Sequence, residues 1–237
     1  MRRWFSSSAK TDELRNRPRV PTGSVRACGG NGLIRAGTRA ISKLVDRIAF
    51  GQADSGDVSH LVDVRPLRRH EIETIAENLN PARNAATHRA RLNLQDDGTL
   101  IYLIAWVEST PVGHGMLLWN GPTGSPKQHI DQLYPYVEDL WVRNDLRSRG
   151  IGARILAEMT MLAIAHGYRA VSLSVGVDNG RAINLYKRMG FTSTQTPKFT
   201  LSGMVTAADG ETHFWSERCQ YMLKSLDYRQ DRSIEVA

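Results

Sequence analysis

The chain has 237 residues, 41% hydrophobic and 23% charged, which suits one globular domain of ordinary size with extensions. Its formal charge of +7 is concentrated in residues 1–60, net +6, which leaves +1 for all the rest; no basic stripe marks the body, and nucleic-acid binding is not expected of it. No apolar run approaches the roughly 18 residues of a membrane helix, and Cys28, Cys219 and the seven histidines show no spacing that suits a disulfide framework or a metal site.

The leader, residues 1–56, is rich in Arg, Ser, Gly and Pro and reads as largely disordered. Within it, Ile34, Ile41, Leu44, Val45 and Ile48 recur at helical spacing among Arg35, Arg39, Lys43 and Arg47. That pattern predicts a short basic amphipathic helix over 34–49, open to three readings: an organelle-targeting signal, a docking element or a dispensable extension. No signal peptide is visible, so the expected location is cytoplasmic, with organelle targeting as the alternative.

A packed domain is expected over 57–228, followed by a tail over 229–237. Leu61, Val62 and Val64 predict a strand that ends at Pro66, and Arg69 to Leu79 a helix. Asn80-Pro81 reads as the start of a second helix running to Leu94. Leu100 to Glu108 and Val112 to Trp119 form a strand pair around Thr110-Pro111, and Gly121 to Pro135 is a loop. Val137 to Val142 is the next strand. Gly150 to His166 is apolar on most faces and predicts a buried helix, closed by Gly167. A strand over Ala170 to Val175 follows. Asn179 then caps a helix that Gly190 ends, and short strands are expected near 191–194, 199–205 and 218–224.

The sharpest local feature is Leu146-Arg147-Ser148-Arg149-Gly150-Ile151-Gly152-Ala153, between a strand and a buried helix. A helix start presents unpaired N–H groups and the positive end of its dipole, which suits phosphate oxygens. Gly150 and Gly152 allow close approach, and Arg147 and Arg149 can add charge-assisted contacts. An ordinary Gly-rich turn has the same composition. The dinucleotide fingerprint is excluded because its third glycine would fall at Ile155, and no phosphate loop of the G-x-x-x-x-G-K type, nucleophile elbow or H-E-x-x-H motif occurs.

Arg147-x-x-Gly150-x-Gly152 resembles the R/Q-x-x-G-x-G/A motif of the GNAT superfamily of N-acetyltransferases. The segment 137–142 is similar to the family's fourth strand. Asn179-x-x-Ala182-x-x-Leu185-Tyr186 with Gly190-Phe191 resembles its second conserved block, and the stretch from Glu138 to Leu156 is laid out as in polyamine acetyltransferases. The likeness extends over about 61–226. It implies a mixed α/β (α+β) fold: a mostly antiparallel sheet with splayed central strands, flanked by helices. It also implies acetyl-CoA as acyl donor, with no metal. Pantetheine would run along Leu140, Trp141 and Val142 like an added strand. The pyrophosphate would lie on the main chain of Arg149 to Ala153, with Arg147 and Ser148 beside it and Asn179 touching the cofactor arm. The Leu140 N–H would face the thioester carbonyl.

The reaction the resemblance implies is attack of an amine on a thioester, directly in a ternary complex. An alkyl amine must first lose a proton, and Glu138 matches the position that takes it in several family members. Asp139 is the competitor, expected on the opposite face of the strand. Tyr186 matches the tyrosine that protonates the leaving thiolate. A primary amine on a small molecule is the leading acceptor. A protein N-terminus or lysine is the second reading, and a non-catalytic acyl-CoA-binding module the third. The loop over Gly121 to Pro135 favours a small acceptor if it covers the groove. His88, His129, Tyr134, Tyr136, His213 and Trp215 are candidates for lining it. The partners expected are therefore acetyl-CoA and an amine, with no nucleic acid and no membrane; a homodimer stays open.

Overall fold

The computed structural model describes residues 58–79, 84–123, 130, 133–206 and 212–226. The readings made for 1–56 and 229–237 lie outside these residues, as does most of the 121–135 loop. An eight-stranded sheet organises the domain: β1 (Val62–Pro66), β2 (Leu100–Val107), β3 (Thr110–Leu118), β4 (Tyr136–Val142), β5 (Ala170–Gly176), β6 (Thr192–Ser193), β7 (Phe199–Thr206) and β8 (Thr212–Ser225). Its order is β1-β2-β3-β4-β5-β8-β6, with β7 paired to β8. Only β4 and β5 run parallel; every other pair is antiparallel. This is the mixed, mostly antiparallel fold expected.

The sheet is apolar on both faces because helices cover both. On one face α3 (Ile151–Ala165) buries Ile151, Ile155, Leu156, Met159 and Ala163 against Leu103, Leu117, Val137 and Val171. Tyr186 of α4 (Gly180–Arg188) joins the same cluster. On the other face α1 (Ile72–Asn78) and α2 (Ala85–Asp96) set Ile72, Ile75 and Leu92 against Tyr102, Ile104 and Trp106. That double cover explains why β2 reads as a nearly unbroken buried run rather than an alternation.

Two boundaries differ from the sequence reading. Helix α2 is capped by Asn84, whose side chain accepts a hydrogen bond from Thr87 N at 3.0 Å, so the helix starts at Ala85, four residues after Pro81. Strand β8 begins at Thr212, well before 218, because its first half pairs only with β7 and stays exposed, and so carries no burial pattern.

Candidate active site

Strand β4 is where the sheet opens. It pairs with β5 only through Tyr136↔Ser172 and Val137↔Leu173, while β5 continues to Gly176 against β8. Over Leu140 to Val142 the β5-facing edge of β4 has no ladder partner among the described residues. A bulge falls at the same point. Against β3, Met116 stands opposite Glu138 but His114 stands opposite Trp141, so β4 spends one extra residue in that interval. Asp139 takes it up at φ 49°. Left-handed backbone costs a non-glycine residue about 1–3 kcal/mol. There Asp139 pairs with the Arg91 guanidinium.

The bulge overturns one expectation. Asp139 does not point away from Glu138. An extra residue cancels the alternation, so Asp139 lies on the α2 face, on Arg91 and 4.0 Å from His114 Nδ1. Tyr136 and Trp141 pack on that same face. Glu138, two residues after Tyr136 and before the bulge, shares that face by the strand's alternation. A Cβ at Gly113 would lie 2.9 Å from the Trp141 carbonyl, so β3 approaches the bulge closely enough to require glycine.

Beyond β4 the chain turns into α3. Ser148 and Gly150 have φ of 62° and 83°, and no side chain caps the helix. The bond from Arg154 N to the Gly150 carbonyl, 3.0 Å, leaves the N–H groups of Ile151, Gly152 and Ala153 without partners inside the helix. They open on a cleft of about 690 Å³ between β4, α3 and α4. A Cβ at Gly152 would stand 3.3 Å from Leu185 Cδ2 of α4, so any larger side chain must project into that cleft or push α4 away.

The cleft brings together Leu140, Trp141, Val142, Arg147, Ser148, Gly150, Ile151, Gly152, Ala153, Asn179 and Tyr186. Arg147 donates from Nε to the Val142 carbonyl at 3.1 Å, which ties the turn to the end of β4. Asn179 caps α4, its Oδ1 accepting from Ala182 N at 3.1 Å. Arg149 and Glu138 do not line this cleft. The Arg149 Nη1 is buried, and its carbonyl accepts from Val58 N at 3.1 Å. Sequence reasoning missed Arg181 and Arg188, both on the cleft wall; Arg181 donates to Ser148 Oγ at 2.9 Å. Arg181 thus gives the turn a further cation from α4, and Arg188 adds charge elsewhere on the cleft wall.

Tyr186 is buried, with its ring edge-on to Phe191 at a centroid distance of 6.0 Å. Burial pushes its phenol up to about 12. At neutral pH it is a protonated donor at the cleft wall. The proposed acceptor-lining residues are more scattered. His88 is fully buried, with Nδ1 3.0 Å from the Tyr102 hydroxyl, and Trp215 is on the exposed part of β8. His129 lies outside the described residues.

An open strand edge leading to an uncapped, glycine-bearing helix start fits an acyl-CoA, whose pantetheine arm can pair with backbone and whose pyrophosphate seeks N–H groups. Fold and cleft together define an acetyltransferase class of domain. The profile described as the acetyltransferase (GNAT) family matches residues 67–191, more than half of the chain, and the chain belongs to that family. It is 31% identical over 97 residues to an uncharacterized N-acetyltransferase of Methanocaldococcus jannaschii, covering 41% of each chain. Over 55 residues it is 36% identical to the thialysine N-epsilon-acetyltransferase of Bos taurus, covering 23% of this chain and 32% of that one. The chain thus spans less than half the length of these relatives. Among solved structures it shares the fold of yncA, a putative acetyltransferase from Salmonella typhimurium with its cofactor acetyl-CoA (14% identity, TM-score 0.51, covering 71% of this chain and 95% of that one). It likewise resembles the spermidine N-acetyltransferase of Vibrio cholerae in complex with CoA and spermine (12% identity, TM-score 0.51, 70% and 96%).

Proposed function

We propose that this protein transfers an acetyl group from acetyl-CoA to a primary amine of a small molecule. One observation carries the reading: the open edge of β4, the uncapped start of α3 and the Tyr186 phenol all border one cleft. Relatives named for thialysine and spermidine favour a small amine as acceptor.

Acetyl-CoA supplies an activated acyl carbonyl. The N–H groups of Ile151, Gly152 and Ala153 hold its pyrophosphate, with Arg147 and Arg181 adding positive charge around the turn and Arg188 elsewhere on the cleft wall. The exposed β4 edge, Leu140 to Val142, aligns the pantetheine arm. Leu140 N–H is the candidate donor to the carbonyl oxygen, where charge develops. Glu138, on the far face of β4, removes a proton from the incoming ammonium directly or through a water. The free amine attacks the carbonyl carbon and the C–S bond breaks; Tyr186 Oη gives its proton to the departing thiolate and regains the one that the new amide nitrogen sheds.

Mass spectrometry of copurified ligand, then a panel of amines with free-thiol detection, tests this. Acetylation of at least one small amine is expected. Tight acetyl-CoA binding with no turnover of any amine would make the protein a binding module instead.

A further inference from the structure

Asp139 was a rival for the role of base; its surroundings give it another task. Between α2 and the β4 bulge lies a buried polar chain. Arg91, 9% exposed, donates from Nη1 to the Tyr102 hydroxyl at 3.2 Å and from Nη2 to the Asp139 carboxylate. Its guanidinium also lies 5.1 Å from the centre of the Tyr102 ring. Tyr102 is fixed in turn by His88 Nδ1 at 3.0 Å, and Tyr102 and Trp141 both pack on the His114 ring. A surface ion pair would need none of this support. Here a cation from a helix is anchored in the core and presents one nitrogen to the single residue whose backbone makes the bulge.

We infer that Arg91 is a positioning residue, whose ion pair with Asp139 holds the β4 bulge in the register that opens the Leu140–Val142 edge to the acyl donor. The inference rests on the acetyltransferase reading above. Without the bulge, β4 would keep its alternation past Glu138. Asp139 and Leu140 would exchange faces, and the strand could go on pairing with β5 where the cleft now opens. Arg91 does not line the donor cleft. It acts through Asp139 on the direction of the Glu138 carboxylate and the Leu140 N–H. The pyrophosphate end of the cleft is built independently by α3 and α4, so loss of the clamp separates two binding properties that ordinary unfolding would lose together.

The test measures affinity for CoA and for acetyl-CoA by calorimetry, together with kcat, for wild type, Arg91→Met, Arg91→Lys and Asp139→Asn. CoA affinity should fall too, because its pantetheine arm uses the same β4 edge, but by less than acetyl-CoA affinity, because CoA lacks the carbonyl that reads the bulge. The ratio of acetyl-CoA to CoA affinity should fall about five- to tenfold in Arg91→Met and Asp139→Asn, the scale of one hydrogen bond. Their kcat should fall about 10- to 100-fold. Arg91→Lys, which keeps the charge without the fork, should fall between them and wild type. If Asp139 were itself the base, Asp139→Asn would lower kcat and leave the affinity ratio at the wild-type value, which would overturn the clamp. Wild-type ratios and kcat in both variants would overturn it equally. Should Arg91→Met fail to melt cooperatively, Asp139→Asn decides alone. A wild type that binds acetyl-CoA but acetylates nothing would sink the enzyme reading, while the affinity ratio would still test the clamp.

Discussion

Replacing Tyr186 by Phe removes one oxygen and keeps a ring that the structure needs. That ring is buried, packs edge-on against Phe191 and belongs to the core cluster under α3, so the substitution should cost no more than about 1 kcal/mol. The chemical cost is set by the hydroxyl. With burial pushing the phenol to about 12, roughly one molecule in 30,000 carries the phenolate at pH 7.5, so essentially every active site holds a donor. Losing one positioned acid typically costs about 10²–10⁴-fold, and a thiolate needs less help than an alkoxide, so kcat should fall about 10- to 1000-fold. Acetyl-CoA affinity should change by less than about threefold. The raised pKa also fixes a pH signature. Neutral phenol is favoured in the folded state, so the group's contribution to stability is complete below pH 10 and is lost as pH rises from 10 to 12. Between pH 7 and 10 the donor does not titrate, and the defect in Tyr186→Phe should be constant across that range. Stopped-flow detection of free thiol over a pH series is the assay. A variant that keeps kcat within twofold, or whose defect vanishes above pH 8.5, would refute the assignment of Tyr186 as acid.

Glu138→Gln should behave in the opposite way, its defect shrinking toward high pH as free amine accumulates without a base; full activity at pH 7 would move the proton acceptor elsewhere. Gly152→Trp should abolish acetyl-CoA binding measured by calorimetry while circular dichroism stays unchanged, because its side chain must enter the cleft that Leu185 already bounds at 3.3 Å. Gly113→Ala should lower thermal stability by about 1–3 kcal/mol, since its Cβ would meet the Trp141 carbonyl at 2.9 Å and backbone must move; an unchanged melting temperature would show that β3 has slack there.

Much of the framework is legible from local chemistry. The apolar periodicity of α3, the positive-φ glycines Gly167 and Gly190 that follow α3 and α4, and the Asn179 cap are all written within a few residues of the structure they produce. The phosphate-type turn is local too. What escapes a reading of the chain depends on partners far along it. Asn80 and Asn84 are equally good caps by type, and only the geometry of Thr87 N selects the second. The bulge is a property of β4 counted against β3, so it shows only in the register. Arg91 and Asp139 are 48 residues apart and look like separate solvated charges. Arg181 and Arg188 lie on a polar helix surface where arginine is unremarked until the cleft beside them is seen.

The junction between β4 and β5 has a consequence for the whole sheet. With only Tyr136↔Ser172 and Val137↔Leu173 joining them, the sheet is two half-sheets hinged at one end, β1–β4 on one side and β5–β8 on the other. If the donor's arm lies in the opening as proposed, it is a ninth strand supplied from solution that stitches the halves together. The resistance of the domain to heat and to amide exchange around the opening should rise with the concentration of that donor, by mass action. The fold would then be completed only while the molecule it is proposed to consume is in place.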